Sequence, residues 1–191
     1  GTIDSTGSVN TDAGFSIISY TGTGSAGTVA HGLGSAPAMI IVKNRGVVGD
    51  WRCYHKSLGN TQLIRLNLTN ATLTNTSWNN TTPTSTVFSL GNGTDTNDNS
   101  GGGAEHIAYC FHSVDGFSMV GSYIGNGNAN GSMIYTGFRP KWVMIKQTTT
   151  AENWIIIDAE RNTYNLSGTR LIPNLGNTEA NDNGLDLLSN G

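Results

Sequence analysis

Apolar residues in this chain come in short runs separated by turns of Gly, Asn, Thr and Ser. The runs in the first half are Phe15–Tyr20, Thr28–His31, Ala38–Asn44, Trp51–His55, Gln62–Leu68, Thr86–Leu90 and His106–Val114. They are rich in β-branched and aromatic residues. Their spacing of roughly 8–12 residues predicts an all-β sandwich or barrel. Ile64, Leu66 and Leu68 alternate with Arg65 and Asn67, a period of two that predicts a strand with one wet face. Ile107, Tyr109 and Phe111 alternate with His106, Ala108, Cys110 and His112 in the same way. Ala38–Val42 is apolar at every position, which predicts a central strand covered on both faces. Helical signal is scarce, and Ala159–Tyr164 is the best short candidate.

The pattern then repeats. Gly116-Phe117-Ser118 restarts Gly14-Phe15-Ser16, and Tyr123-Ile124-Gly125 answers Tyr20-Thr21-Gly22. Pro140, Lys146 and Trp154 answer Pro37, Lys43 and Trp51, each 103 positions on. Ordered matches with apolar runs in register between them mark a tandem duplication. Both prolines stand just before a central run, where a strand tolerates them. The expected organisation is a linker or lead-in strand over 1–13, a first β-sandwich (jelly-roll-like) unit over 14–115, and a second, homologous unit over 116–191. Asn174-Leu175 answers Asn67-Leu68, but nothing in the second unit answers Thr86–Val114. That unit is therefore expected to be truncated, its last strands supplied by a continuing chain or by a neighbouring subunit.

Composition narrows the function. Charged residues are 12% of the chain, against about 25% in ordinary soluble domains. Glycine supplies 26 of the 191 residues, which suits many tight turns. The net charge of −3, with no Lys/Arg run, argues against nucleic-acid binding. No apolar stretch approaches the roughly 18 residues of a membrane span, so no membrane insertion is expected. A polar, weakly charged exterior suits an extracellular protein.

Candidate chemistry is sparse. Cys53 and Cys110 lie in strand-like runs, and the second unit carries Ile156 where the first has Cys53. This favours small buried apolar residues over a disulfide. Trp51 and Trp154 begin strands after a turn, and Trp78 lies among Asn and Thr. Trp51 and Trp154 read first as closing the end of the core, with glycan contact as the alternative, and Trp78 reads equally as an exposed glycan contact or as a plug of the sandwich. The loop Gly91–Gly103 reads as a flexible hairpin tip or linker loop. It contains Asp95 and Asp98 in a pattern that lacks the Gly and closing Glu of a calcium loop. No cofactor is expected, and a surface calcium at Asp95 and Asp98 is the weak alternative. His31, His55, His106 and His112 are not at zinc spacing and read as ordinary strand residues. No nucleophile elbow or phosphate loop occurs. Asp158 and Glu160, at a strand end, are the pair that would have to serve a hydrolase. No enzymatic activity is expected.

The stretch Gly14–Gly34, with Ile41-Val42-Lys43-Asn44-Arg45, Ser77-Trp78-Asn79, Pro83–Phe88 and Tyr135–Pro140, resembles a domain of tail-fibre and virion structural proteins of marine tailed bacteriophages. The resemblance covers nearly the whole chain and carries over no catalytic or binding residue. It implies a β-rich distal module of a phage virion: a tail fibre or spike, extracellular and homotrimeric. Its implied partners are a host cell-surface glycan or protein and other virion proteins. An extracellular adhesin or filament subunit, and a glycan-degrading depolymerase, are the alternatives.

Overall fold

The structure, a computed structural model, describes residues 1–100 and 104–191. The strands of the first half are β1 (Ser5–Asn10), β2 (Phe15–Thr21), β3 (Gly27–Ala30), β4 (Met39–Asn44), β5 (Arg52–His55), β6 (Gln62–Arg65), β7 (Leu73–Thr74), β8 (Val87–Leu90) and, after one helical turn α1 (Thr94–Asn97), β9 (Glu105–Phe111). The second half adds β10 (Trp142–Lys146), β11 (Trp154–Asp158), β12 (Ser167–Leu171) and β13 (Ala180–Leu185). The chain is all-β, arranged as packed sheets rather than a barrel. A seven-stranded sheet has the order β1-β2-β9-β4-β5-β6-β7, a four-stranded sheet runs β10-β11-β12-β13, and β3 and β8 form a ribbon.

The lead-in segment is a true strand. Asn10 and Phe15 close the β1–β2 hairpin, where the Asn10 side chain accepts from the Ala13 N–H at 2.9 Å. Gly14 leaves that turn at φ +65°, in the left-handed region that glycine enters without strain. Ile3 bridges to Val29 and is buried, so this end of the chain is sewn to both the large sheet and the ribbon.

One core lies between the large sheet and the ribbon. It gathers Ile18, Tyr20, Val29, Ile40, Val42, Tyr54, Leu63, Trp78, Phe88, Leu90, Ala108 and Cys110, among others. A second cluster on the opposite face gathers Met39, Ile41, Cys53 and Ile64 around Trp154, with Trp51, Tyr109, Phe111, Val120 and Met144 packed against it. The large sheet is thus a middle layer. β4, fourth of its seven strands, is buried on both faces as its composition predicts.

The middle position also corrects the face assignments. In β9 the side carrying His106, Ala108 and Cys110 is the deep one, while Ile107, Tyr109 and Phe111 are half-buried. The ribbon, Phe88 and Trp78 fill that volume, so only small or narrow side chains fit beneath them. β6 has no wet face over its short length, because Leu63 enters one core and Ile64 the other. The strand ends at Arg65, with the Leu66 N–H still donating to the Trp51 carbonyl at 3.1 Å.

Two loop expectations change. Gly91–Asn99 is not a free tip: α1 is pinned by Tyr20, whose hydroxyl donates to the Thr96 carbonyl at 2.6 Å. Asn97, fully buried, donates to the Ser25 and Gly91 carbonyls, both at 2.7 Å, and accepts from the Thr23 N–H at 2.8 Å. Residues 101–103 of that loop lie outside the described residues. Ala159–Tyr164 is a succession of turns and bends, organised by Asp158, which accepts from the backbone of Glu160 and Arg161 at 3.1 and 3.0 Å.

Candidate functional site

The three tryptophans singled out by sequence are not brought together on a surface. Trp78 is 1% exposed and meets Tyr54 edge-on at 5.7 Å between ring centroids. Its loop turns back over the core through Asn79 and Asn80, both at positive φ, which Asn accepts more readily than most residues. Trp154 is 3% exposed, and its indole N–H donates to the Arg65 carbonyl at 2.7 Å. It joins the second sheet to the first. Trp51 is half-buried and stacks on Tyr109 at 6.4 Å. Stacking on a sugar needs a free ring face, which Trp78 and Trp154 lack.

Asp95 and Asp98 are also committed, and to different partners. Arg52 donates to Asp95 through Nε at 2.8 Å and through Nη2 in an ion pair, and the Asp50 N–H reaches Asp95 at 3.1 Å. Asp50 in turn pairs with Arg65 at 3.0 Å. Asp98 accepts from the Ser100 hydroxyl at 2.5 Å and the Ser100 N–H at 3.0 Å. Ser100 holds the Asp98 carboxyl below the usual carboxylate range. Among the described residues no three His, Cys, Asp or Glu side chains gather as a metal site would require.

Cys53 and Cys110 are free and buried on opposite faces of the large sheet, one in each core. Burial pushes both thiols up to about 12, so both remain protonated and inert. His31 and His106 are fully buried rather than on a strand surface. The His31 Nε2 donates to the Thr84 carbonyl at 3.1 Å while its Nδ1 accepts from the Leu33 N–H at 3.2 Å, which selects the neutral ring. His106 stacks on Tyr20 at 5.1 Å and donates to the Ala104 carbonyl at 2.8 Å. Asp158, the acid that would have to serve hydrolysis, forms an ion pair with Arg161, which also holds Glu179 at 3.0 Å.

What the fold does assemble is a polar end to the large sheet. An open groove of about 480 Å³ crosses the ends of β1, β2, β9 and β4 and is lined by Asp4, Ser5, Thr6, Ser19, Tyr20, Thr21, Arg45 and Glu105. Arg45 and Glu105 face each other at 3.5 Å, both well exposed. The loop that begins at Arg45 is held at its roots. Asn44, buried, accepts from the Gly46 and Val47 N–H groups at 2.9 and 3.2 Å, and its amide donates to the Thr94 carbonyl at 3.1 Å. At the other root the Asn67 side chain accepts from the Trp51 N–H at 3.0 Å and donates to Asp50, also at 3.0 Å. Between these roots Val47 and Val48 project into solvent. Such a surface can offer hydroxyl, carboxylate and guanidinium partners plus an apolar tip to a polar ligand. Sequence reasoning passed over it because Arg45 and Glu105 become neighbours only through the β4–β9 pairing. The visible signal was a charge closing one strand-like run and another opening a second.

The chain belongs, over residues 1–191, to the family described as Domain of unknown function (DUF7483). No curated protein and no solved structure matches it.

Proposed function

We propose that this chain is a structural module of a phage virion, part of a tail fibre or spike that attaches to the host surface as a homotrimer. The observation that carries the reading is the pinned loop Arg45–Asp50, which presents Val47 and Val48 beside an open polar groove. A loop clamped at both roots loses little conformational entropy on contact, and an open groove suits a glycan chain or a protein surface. The weakly charged exterior and the resemblance to virion proteins point the same way. Immunogold labelling of purified phage particles carrying the gene tests it. Label on the tail is the expected result; particles without label overturn it.

A further inference from the structure

The end of the large sheet away from Arg45 carries a second groove, and its chemistry differs from that of the first. It is open, about 350 Å³ in volume, and lies where β4 begins and where β5 and β9 end. Backbone bonds fix its rim. The Ala38 N–H donates to the Phe111 carbonyl at 2.7 Å, the Lys56 N–H to the Ala38 carbonyl at 2.8 Å, and the His112 N–H to the Gly14 carbonyl at 2.9 Å. Pro37, Lys56 and His112 are thereby held at three neighbouring strand ends. Thr82 and Pro83 also line the groove, and the Asn60 amide steadies Thr82 by donating to its hydroxyl at 2.9 Å. In the first groove Arg45 meets Glu105, and Asp4 adds a second acid. No Asp or Glu lines the second groove. Lys56 is exposed there and forms no ion pair among the described residues.

Tyr54 is the decisive residue. It is 2% exposed, with its ring edge-on to Trp78. Its hydroxyl has no hydrogen-bond partner among the described residues, yet it is not one of the polar atoms sealed from solvent, so it opens on the groove that Tyr54 lines. A buried tyrosine hydroxyl ordinarily finds a partner; here the partner has to come from the groove. Burial holds the phenol above its usual value, so it stays protonated and can donate. The internal repeat shows that packing does not require these polar groups. The second half keeps the strand entry, with Pro140 for Pro37, but carries Ile157 for Tyr54 and Ala159 for Lys56. Ile157 is 5% exposed. An apolar side chain thus fills the same place in the hairpin, and the hydroxyl and ammonium of the first half are additions to the construction.

We propose that this groove binds a sugar that bears a carboxylate, the uronic acid residue of an acidic glycan. The Lys56 ammonium and the Tyr54 hydroxyl supply donors for the two oxygens of one carboxylate, and one cation balances one charge. The sugar's hydroxyls meet the other polar groups. His112 donates through Nδ1 to the Ser113 carbonyl at 2.8 Å, which leaves Nε2 to accept. The Thr82 hydroxyl accepts from Asn60, and the Ser113 hydroxyl accepts from the Val120 N–H at 3.0 Å, so each keeps its own proton to donate. Pro37, Ala38 and Pro83, all buried, offer an apolar wall to the C–H face of the ring. The volume is near the small end of the range that ligand pockets occupy, which suits a short glycan segment. The site lies apart from the Arg45 groove and does not depend on the attachment reading.

The test is a nuclear magnetic resonance titration of the chain with methyl glucuronide and methyl galacturonide, beside neutral methyl glucoside and acetate. The expected result is saturable binding of at least one uronide, with Kd of about 1 mM or tighter, and resonance shifts at Tyr54, Lys56 and His112. Methyl glucoside, which lacks the carboxylate, and acetate, which lacks the sugar, should each bind about tenfold more weakly or worse. Tyr54→Phe removes only the hydroxyl and should weaken uronide binding by about three- to tenfold. Lys56→Gln, at an exposed position, should weaken it by about tenfold or more. No saturation by either uronide up to roughly 20 mM, equal binding of the glucoside or of acetate, or shifts confined to the groove at Arg45 and Glu105 overturns the proposal. Unchanged affinity in a folded Lys56→Gln or Tyr54→Phe chain does so too. Where Tyr54→Phe fails to fold, Lys56→Gln decides alone.

Discussion

The hairpins β4–β5 and β10–β11 pair in one register. Met39↔His55 in the first corresponds to Trp142↔Asp158 in the second. The same clamp follows each: Asn67 accepts from the Trp51 N–H and donates to Asp50, while Asn174 accepts from the Trp154 N–H at 2.9 Å and donates to Asn153 at 2.7 Å. Their surroundings differ. Ile40 and Val42 are fully buried between two layers, and their counterparts Val143 and Ile145 are only half-buried. Register and clamp are local properties and survive the change of surroundings. Burial depends on neighbours and does not.

The largest expected effect severs the two regions. Trp154→Ala removes the side chain that seats the second sheet on the first, and should cost about 3–5 kcal/mol. Loss of near-ultraviolet dichroism and early proteolysis beyond Thr148 would report it. A cost below roughly 1 kcal/mol would mean the sheets are not energetically joined at Trp154. Next comes the direct comparison of equivalent positions. Ile40→Ala should lower stability by about 2–5 kcal/mol in urea unfolding, and Val143→Ala by no more than about 1.5 kcal/mol. Equal losses would contradict the difference in burial.

Smaller effects follow at the clamps. Asn67→Ala should cost about 1–3 kcal/mol in thermal unfolding, because Asp50 and its ion pair with Arg65 lose their anchor too. Asn174→Ala, with no charged pair on its partner Asn153, should cost less. The smallest effect is on pH dependence. Burial, the largest cause in each case, holds His31, His55 and His106 below the ordinary imidazole value. The unfolded chain takes up protons near pH ~6.5 that the folded chain refuses. Stability is therefore full above about 6.5 and falls as the pH drops through that window. His31→Gln should flatten the slope between about pH 6.5 and 5. An unchanged slope would assign the dependence to the other imidazoles.

Much of the strand content was legible beforehand. Seven predicted runs of the first half became strands with ends that moved by at most three residues, because alternation and turn residues are local signals. The functional surface was far less legible. Trp51, Trp78 and Trp154 drew attention as aromatics, yet the half-exposed Trp142 did not. Its signal was present in the repeat, where Trp142 replaces the buried Met39, but its place on the end strand of a sheet becomes visible only once strand neighbours are known. The groove at Arg45 and Glu105 was hidden for the same reason.

Sequence alone determined the strand-rich character, the central position of β4, the internal repeat, and the strand entries at Pro37 and Pro140. Each of these rests on residues close in the chain or on direct self-comparison. Tertiary structure alone decided that the His106 face of β9 is the deep one, and that Trp78 plugs a core. It also decided that residues 5–10 join a sheet, and that β10 is the end strand of its sheet among the described residues. A period of two announces that a strand has two faces. Which face meets a neighbour depends on what packs there, and in β9 the volume taken by Trp78 and Phe88 sends the small side chains inward.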